Sequence, residues 1–302
     1  MRVPIIRSRL RAVFGPGGRR RIRRFDSIRR FDSVRRFGSA RRFGSVRRFG
    51  SARLADRIVF VENSGIAEVG SHAQLMDLGG RFVVKCATKP PFTEWLRREH
   101  AVLQRLSLHL PLVPEPSGYA EAEEEVGRSY WLIMEYRPGQ PLTEALAEAG
   151  DEVRRRSLLF EFGRTLAEIH RRTAPPELAH PEPWLEHMLR LAEQYLRGFD
   201  VDGDAALLQR LWDERPEPVP PCLIHGDYTL DNVLVHDGRV SGVIDWCWGA
   251  LGDPRYDLAL ATRRKPVAFG HAADLEAFYE GCGGRRLSRG EKAYFLGLYE
   301  FL

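Results

Sequence analysis

His225 and Asp227 follow the apolar run CLI, Asn232 stands five positions after Asp227, and Asp245 ends the apolar segment GVID. The runs CLI, VLV and SGVI, with an HDGR turn between the last two, read as short strands and a hairpin carrying a loop at one end. Asn232 and Asp245 offer the hard oxygen ligands that Mg²⁺ accepts while keeping its remaining positions for phosphate oxygens and water. Asp227 would sit beside such a metal, where a carboxylate can accept or orient the proton of an attacking hydroxyl. Each of these residues alone is an ordinary turn or capping residue. Together, in the order H-x-D-x-x-x-x-N and then Asp, they have the arrangement of phosphoryl-transfer sites.

The chain that must position them has 302 residues, 43% of them hydrophobic, enough for one large or two modest domains. Its net charge of +5 is unevenly spread. Residues 1–53 hold 18 Arg and 2 Asp, a net +16, and the remainder holds 28 basic and 39 acidic residues, a net −11. An acidic body favours cationic ligands through its field. Cys86, Cys222, Cys247 and Cys282 contain no C-x-x-C pair, which speaks against a zinc site or disulfide framework and for reduced thiols in a cytoplasmic protein. No apolar run reaches the length of a membrane span, and the start lacks the apolar stretch of a signal peptide.

Five hexamers, RRFDSI, RRFDSV, RRFGSA, RRFGSV and RRFGSA, run from Arg23 to Ala52. Neither helical nor strand spacing gives them an apolar face, so residues 1–55 are expected to be a disordered basic arm. Such an arm suits RNA, DNA or an anionic membrane surface; an expanded short repeat without a role is the competing reading, and an organellar targeting peptide would share its composition. From Arg57 the segments RIVFVENSGIAEV and AQLMDLGGRFVVKCA read as three strands with NSG and GG turns. Ser64 and Gly65 in the first turn would let backbone N–H groups approach phosphates, with Gly70 and Ser71 as an alternative alignment. FTEWLRREHAVLQRL, RRRSLLFEFGRTLAEIHRR, PWLEHMLRLAEQYL, DAALLQRLWDERP, ADLEAFYEGCG and SRGEKAYFLGLYEFL read as helices. His225 is expected to brace the loop, and Asp253 and Asp257 to cap or brace a helix starting near Tyr256.

HGDYTLDNVLV, IDW and GDPRYDLALATR resemble the aminoglycoside phosphotransferase and choline kinase family, and GRVSGVID with the closing YFLGLYEFL is most similar to its aminoglycoside 3'-phosphotransferases. The likeness covers roughly Ile58 to Leu302. It implies an α+β, two-lobed protein-kinase-like fold, with a small β-rich nucleotide-binding lobe over 56–136 and a larger helical catalytic lobe over 137–302. It implies ATP and Mg²⁺ as cofactors and transfer of the γ-phosphoryl to the hydroxyl of a small molecule such as an aminoglycoside. Lys85, ending the strand FVVK, would meet the phosphates and pair with Glu99, with Glu94 as the alternative partner. Backbone groups at Glu135, Tyr136 and Arg137 would hold the adenine edge. Glu182, Glu186 and Glu193, together with Glu300 and Leu302, would face a cationic acceptor; Tyr299 stands where that family more usually has an acid. The fold does not decide the acceptor, which could also be a macrolide, a choline-like alcohol, a sugar or homoserine. A non-catalytic protein binding nucleic acid through its arm is the reading from another class. Whether the chain is a monomer or a dimer is open.

Overall fold

The computed structural model describes residues 31–35, 46–49, 57–60, 74–77, 82–87, 90–124 and 127–302. They fall into two compact units, divided between Arg137 and Pro138, with His109–Val113 belonging to the second.

In the first unit β1 (Phe31–Arg35), β2 (Val46–Phe49), β3 (Arg57–Phe60) and β4 (Gln74–Asp77) form one antiparallel sheet in that order. Two segments of the basic arm are therefore strands, where no regular structure was expected. A ladder of main-chain hydrogen bonds needs no apolar side-chain stripe, which is why the hexamer pattern does not reveal it. The rest of the arm, and Ser64, Gly65 and the NSG turn, lie outside the described residues. β5 (Phe82–Ala87), β6 (Pro116–Glu124) and β7 (Gly127–Glu135) form a second antiparallel sheet with β7 in the centre. α1 (Phe92–Leu106) packs on it through Leu96, Val102, Leu103 and Leu106, the three-and-four spacing of an amphipathic helix.

The second unit is mainly helical. β8 (Gln140–Pro141) leads into the short helix α2 (Leu142–Ala147) and then into α3 (Glu152–Arg171), which Asp151 caps by accepting from Arg154 N at 2.7 Å. α4 (Trp184–Gly198) and α5 (Ala205–Asp213) follow. β9 (Cys222–Ile224) pairs with β12 (Ala250–Gly252), and the hairpin of β10 (Val233–His236) and β11 (Arg239–Val243) adds β8 at its other edge. α6 (Pro254–Ala261), α7 (Ala272–Gly281) and α8 (Arg289–Tyr299) complete it. Leu189, Ile224, Tyr256, Phe295 and Phe301 form part of a core joining α4, β9, α6 and α8. α3 and α7 meet backbone to backbone: a Cβ on Gly163 would lie 2.0 Å from Phe278 O, and one on Gly281 would lie 2.1 Å from Phe160 O. Residues 109–113 belong with this unit because Val243 N donates to Leu112 O at 2.9 Å. No described helix is long and apolar enough to cross a membrane.

Candidate active site

His225 follows the end of β9, and the chain turns at Gly226 with φ 80°. A side chain there would strike Trp248 O, 2.4 Å from an added Cβ, so the turn is open only to glycine. His225 Nε2 meets Ile244 O at 2.9 Å, and Asp227 N donates to His225 Nδ1 at 3.1 Å. A carbonyl can only accept, so the ring carries its proton on Nε2 and is neutral. The imidazole thus ties the loop to the end of the β10–β11 hairpin. That hairpin turns at Asp237 and Gly238, both at positive φ, and returns the chain to Asp245.

Asn232 Nδ2 donates to Asp227 O and Asp227 Oδ2, each at 2.8 Å. The carboxamide nitrogen is thereby spent on Asp227, leaving the amide oxygen as the donor to a cation. Asp227 Oδ1 is buried and makes no hydrogen bond. Burial, and after it the Asp245 carboxylate, push the Asp227 pKa up to about 7 against the opposing pull of Asn232 and the Tyr299 hydroxyl. Asp245 holds φ 65° and ψ 54°, a left-handed conformation uncommon for a residue with a side chain, kept where the surroundings over-determine it. Two neighbouring carboxylates and a carboxamide oxygen fit a small divalent cation. Among the described residues no cluster of three or more His, Cys, Asp and Glu could hold a metal by itself, so such an ion would rely on a ligand's oxygens.

Asp257, fully buried on α6, accepts from His225 N and Gly226 N, both at 2.8 Å, and faces His170 Nε2 at 3.0 Å. One carboxylate thus satisfies two amides of the loop. Asp253 caps α6 through Arg255 N at 2.9 Å and pairs with the Arg255 guanidinium at 2.7 Å. The helix begins at Pro254, two residues before the expected start.

In the first unit Lys85 Nζ meets both oxygens of Glu99, at 2.7 and 2.9 Å, with both side chains buried. Glu94 is exposed and lies 3.9 Å from Arg97. At the expected adenine strand, Glu135 N already donates to Glu115 O at 2.8 Å, and the Glu135 carboxylate pairs with Arg137 at 2.8 Å. The Glu135 amide is therefore engaged inside the sheet rather than offered to a base; Tyr136 is exposed.

The acids expected to receive an acceptor are also engaged within the chain. Glu182 lies 3.1 Å from Arg190 and 3.4 Å from His187, Glu186 lies 3.7 Å from Arg190, and Glu193 accepts from Trp212 Nε1 at 2.9 Å. Glu300 caps α8, its carbonyl accepting from Gly203 N at 2.9 Å, and Leu302 N donates to Tyr299 O at 3.2 Å. Sequence reasoning missed Tyr299, whose hydroxyl lies beside the Asp227 carboxylate, and Tyr256, whose buried hydroxyl has no partner. The one signal at Tyr299 was its departure from the acid usual there. A surface depression lined by Gln140, Arg154, Ser157 and Gly238 contains none of the site residues.

Homoserine kinase of Neisseria meningitidis serogroup B is 30% identical over 253 residues, 78% of this chain and 78% of its own length. Aminoglycoside 3'-phosphotransferase of Escherichia coli is 32% identical over 66 residues, 20% of this chain and 24% of its own length. The spectinomycin phosphotransferase APH(9)-Ia, solved with ADP and spectinomycin, shares the fold at a TM-score of 0.52 and 15% identity, over 80% of this chain and 79% of its own. The profile of the phosphotransferase enzyme family matches residues 71–290, which contain the Lys85–Glu99 pair and the whole Asp227–Asn232–Asp245 constellation, and the chain belongs to that family.

Proposed function

We propose that the protein is an ATP- and Mg²⁺-dependent kinase that phosphorylates a hydroxyl of a small molecule, with homoserine-like amino alcohols as the first acceptor class. The observation that carries this is Asp227 Oδ1, a buried carboxylate oxygen left without a partner beside a carboxamide and a second carboxylate. Asp227 accepts or orients the acceptor's proton, Asn232 and Asp245 hold the metal, and Lys85, fixed by Glu99, neutralises phosphate charge. Bound Mg²⁺·ATP supplies the phosphoryl group and offsets the charge that develops on it. His225 and Asp257 hold the loop still, which is most of what such chemistry asks of a protein. The ADP bound by the spectinomycin phosphotransferase supports nucleotide use.

The homoserine kinase match, spanning most of both chains, supports the small amino-alcohol reading. An aminoglycoside is the second reading, favoured by the match to the 3'-phosphotransferase and weakened by the internal pairing of Glu182, Glu186 and Glu193. The thiols of Cys222, Cys247 and Cys282, not in disulfides, suit the reducing cytoplasm.

ADP release with Mg·ATP, screened against homoserine, kanamycin, choline, a macrolide and simple sugars, tests the reading. Turnover with one alcohol, abolished in Asp227→Asn while Mg·ATP still binds, is expected. Full turnover by Asp227→Asn would remove Asp227 from its role, and failure to bind Mg·ATP would sink the kinase reading altogether.

A further inference from the structure

α6 is followed by three cations, Arg263, Arg264 and Lys265, on a stretch of chain fixed beside the loop of Asp227. On one side of Arg263 is Thr262, buried, its hydroxyl donating to Leu258 O at 2.8 Å and its carbonyl accepting from Lys292 Nζ at 2.7 Å. On the other, Lys265 N donates to Ala268 O at 3.0 Å, and Lys265 Nζ pairs with Asp231, the residue before Asn232. Arg263 is thus held between a buried threonine and a lysine anchored on the site loop. Its guanidinium lies over the Tyr299 ring, 5.3 Å from the ring centre, and the Tyr299 hydroxyl lies beside the Asp227 carboxylate. Half a phenol and one hydrogen bond add about 6 Å, so the guanidinium stands within about 11 Å of that carboxylate. Arg155, Arg255 and Arg286 of the same unit each pair with a carboxylate, whereas Arg263 is exposed and makes no ion pair with any described residue. The ring supports the guanidinium without using its N–H groups, so its fork of donors stays available.

We infer that Arg263 selects the acceptor by pairing with a carboxylate on it, a few bonds from the hydroxyl that is phosphorylated. The inference rests on the phosphotransfer reading and adds a specificity-determining residue to it. A guanidinium offers two parallel N–H groups to the two oxygens of a carboxylate, which fixes the acceptor's orientation as well as its charge. With a hydrogen bond at each end, a four-carbon hydroxy acid reaches about 10–11 Å, enough to join Asp227 to the guanidinium. An alcohol without a carboxylate leaves the guanidinium unused, and a polyamine meets it as a like charge. The rule therefore runs against the net charge of −11 that residues 54–302 carry, which would draw cations. Arg264, exposed and without an ion pair or ring contact among the described residues, carries the same charge one position on and serves as the control.

The test uses the full chain with Mg·ATP and three alcohols: homoserine, 3-aminopropan-1-ol, which lacks only the carboxylate, and kanamycin. Arg263→Gln is expected to raise KM for homoserine about 30-fold while kcat stays within about three-fold and Mg·ATP affinity within about two-fold. Arg264→Gln, with the same loss of charge, is expected to change none of the three, and Arg263→Lys to fall between wild type and Arg263→Gln. An exposed cation–ring contact is weak, so Arg263→Gln keeps the fold, which its urea midpoint checks. The wild type is expected to disfavour 3-aminopropan-1-ol by a similar factor, and Arg263→Gln to lose that preference. Calorimetry of homoserine binding, with Mg²⁺ and a non-hydrolysable ATP analogue, reads the same difference without turnover. An unchanged KM in Arg263→Gln, equal losses in Arg263→Gln and Arg264→Gln, or better turnover of kanamycin or 3-aminopropan-1-ol than of homoserine would each overturn the assignment. So would a loss that falls on Mg·ATP affinity, which would give the guanidinium to a phosphate. If none of the alcohols binds while Mg·ATP does, Arg263 loses its role and the kinase reading stands; if Mg·ATP does not bind, both fall.

Discussion

Asp257 shows how much one buried carboxylate can organise. It accepts from the amides of His225 and Gly226 and faces His170, so the loop that carries Asp227 is anchored at its first two residues. Removing an acceptor from buried donors leaves them unsatisfied, and no solvent reaches this position. Asp257→Ala should therefore destabilise the protein by about 3–5 kcal/mol, read as a shift in the urea midpoint. It should also cut turnover by at least about ten-fold under conditions where the variant remains folded, because a slack loop misplaces Asp227. Unchanged stability would mean that water or another side chain takes over the two amides. His225 is a different kind of residue. Both ring nitrogens are spent on the backbone, so its contribution is the shape of the loop and not a proton.

Among the elements, α3 and α7 pack backbone to backbone. Gly163→Ala would drive a methyl into Phe278 O, a backbone atom that cannot swing aside, and should cost about 2–3 kcal/mol in urea unfolding. A neutral result would show that the two helices slide apart freely. α3 and α8 were legible because their apolar spacing is regular and Asp151 and Ser288 mark their starts. The β10–β11 hairpin was legible too, from Asp237 and Gly238 in its turn. β6 was not. Its segment PSGYAEAEE alternates weakly and carries three acids, as an edge strand paired only with β7 can. α2 is too short to show a period. Lys85 and Glu99 could be paired only through the family resemblance, which also put Tyr299 on the acceptor side; its approach to Asp227 was not legible, since nothing local says that the last helix returns to a loop some seventy residues earlier.

For the molecule as a whole, charge matters in two ways. Burial raises the Asp274 pKa, but the Arg155 hydrogen bond and charge, the Phe269 amide and His271 together outweigh it and leave the group below its ordinary value of 3.8. A carboxylate whose folded pKa is depressed contributes stability that is complete above the unfolded value and is lost as pH falls through the folded one. The urea midpoint should therefore drop between about pH 5 and pH 3, and Asp274→Asn should flatten that drop; equal slopes would refute the assignment. The basic arm is the second matter. The family match begins at residue 71, so deleting residues 1–53 should leave Mg·ATP-dependent turnover within about two-fold while taking the net charge from +5 to −11. Loss of turnover would give the arm a catalytic part. Loss of salt-sensitive RNA binding alone would make it a separate nucleic-acid element. The Asp257 anchor also has a consequence for synthesis. The ribosome delivers His225 and Gly226 long before the carboxylate that holds them, which follows 32 residues after His225, and Tyr299 comes later still. A nascent or truncated chain ending before α6 has Asp227 but no fixed loop, so activity should appear only once the C-terminal helices have left the tunnel.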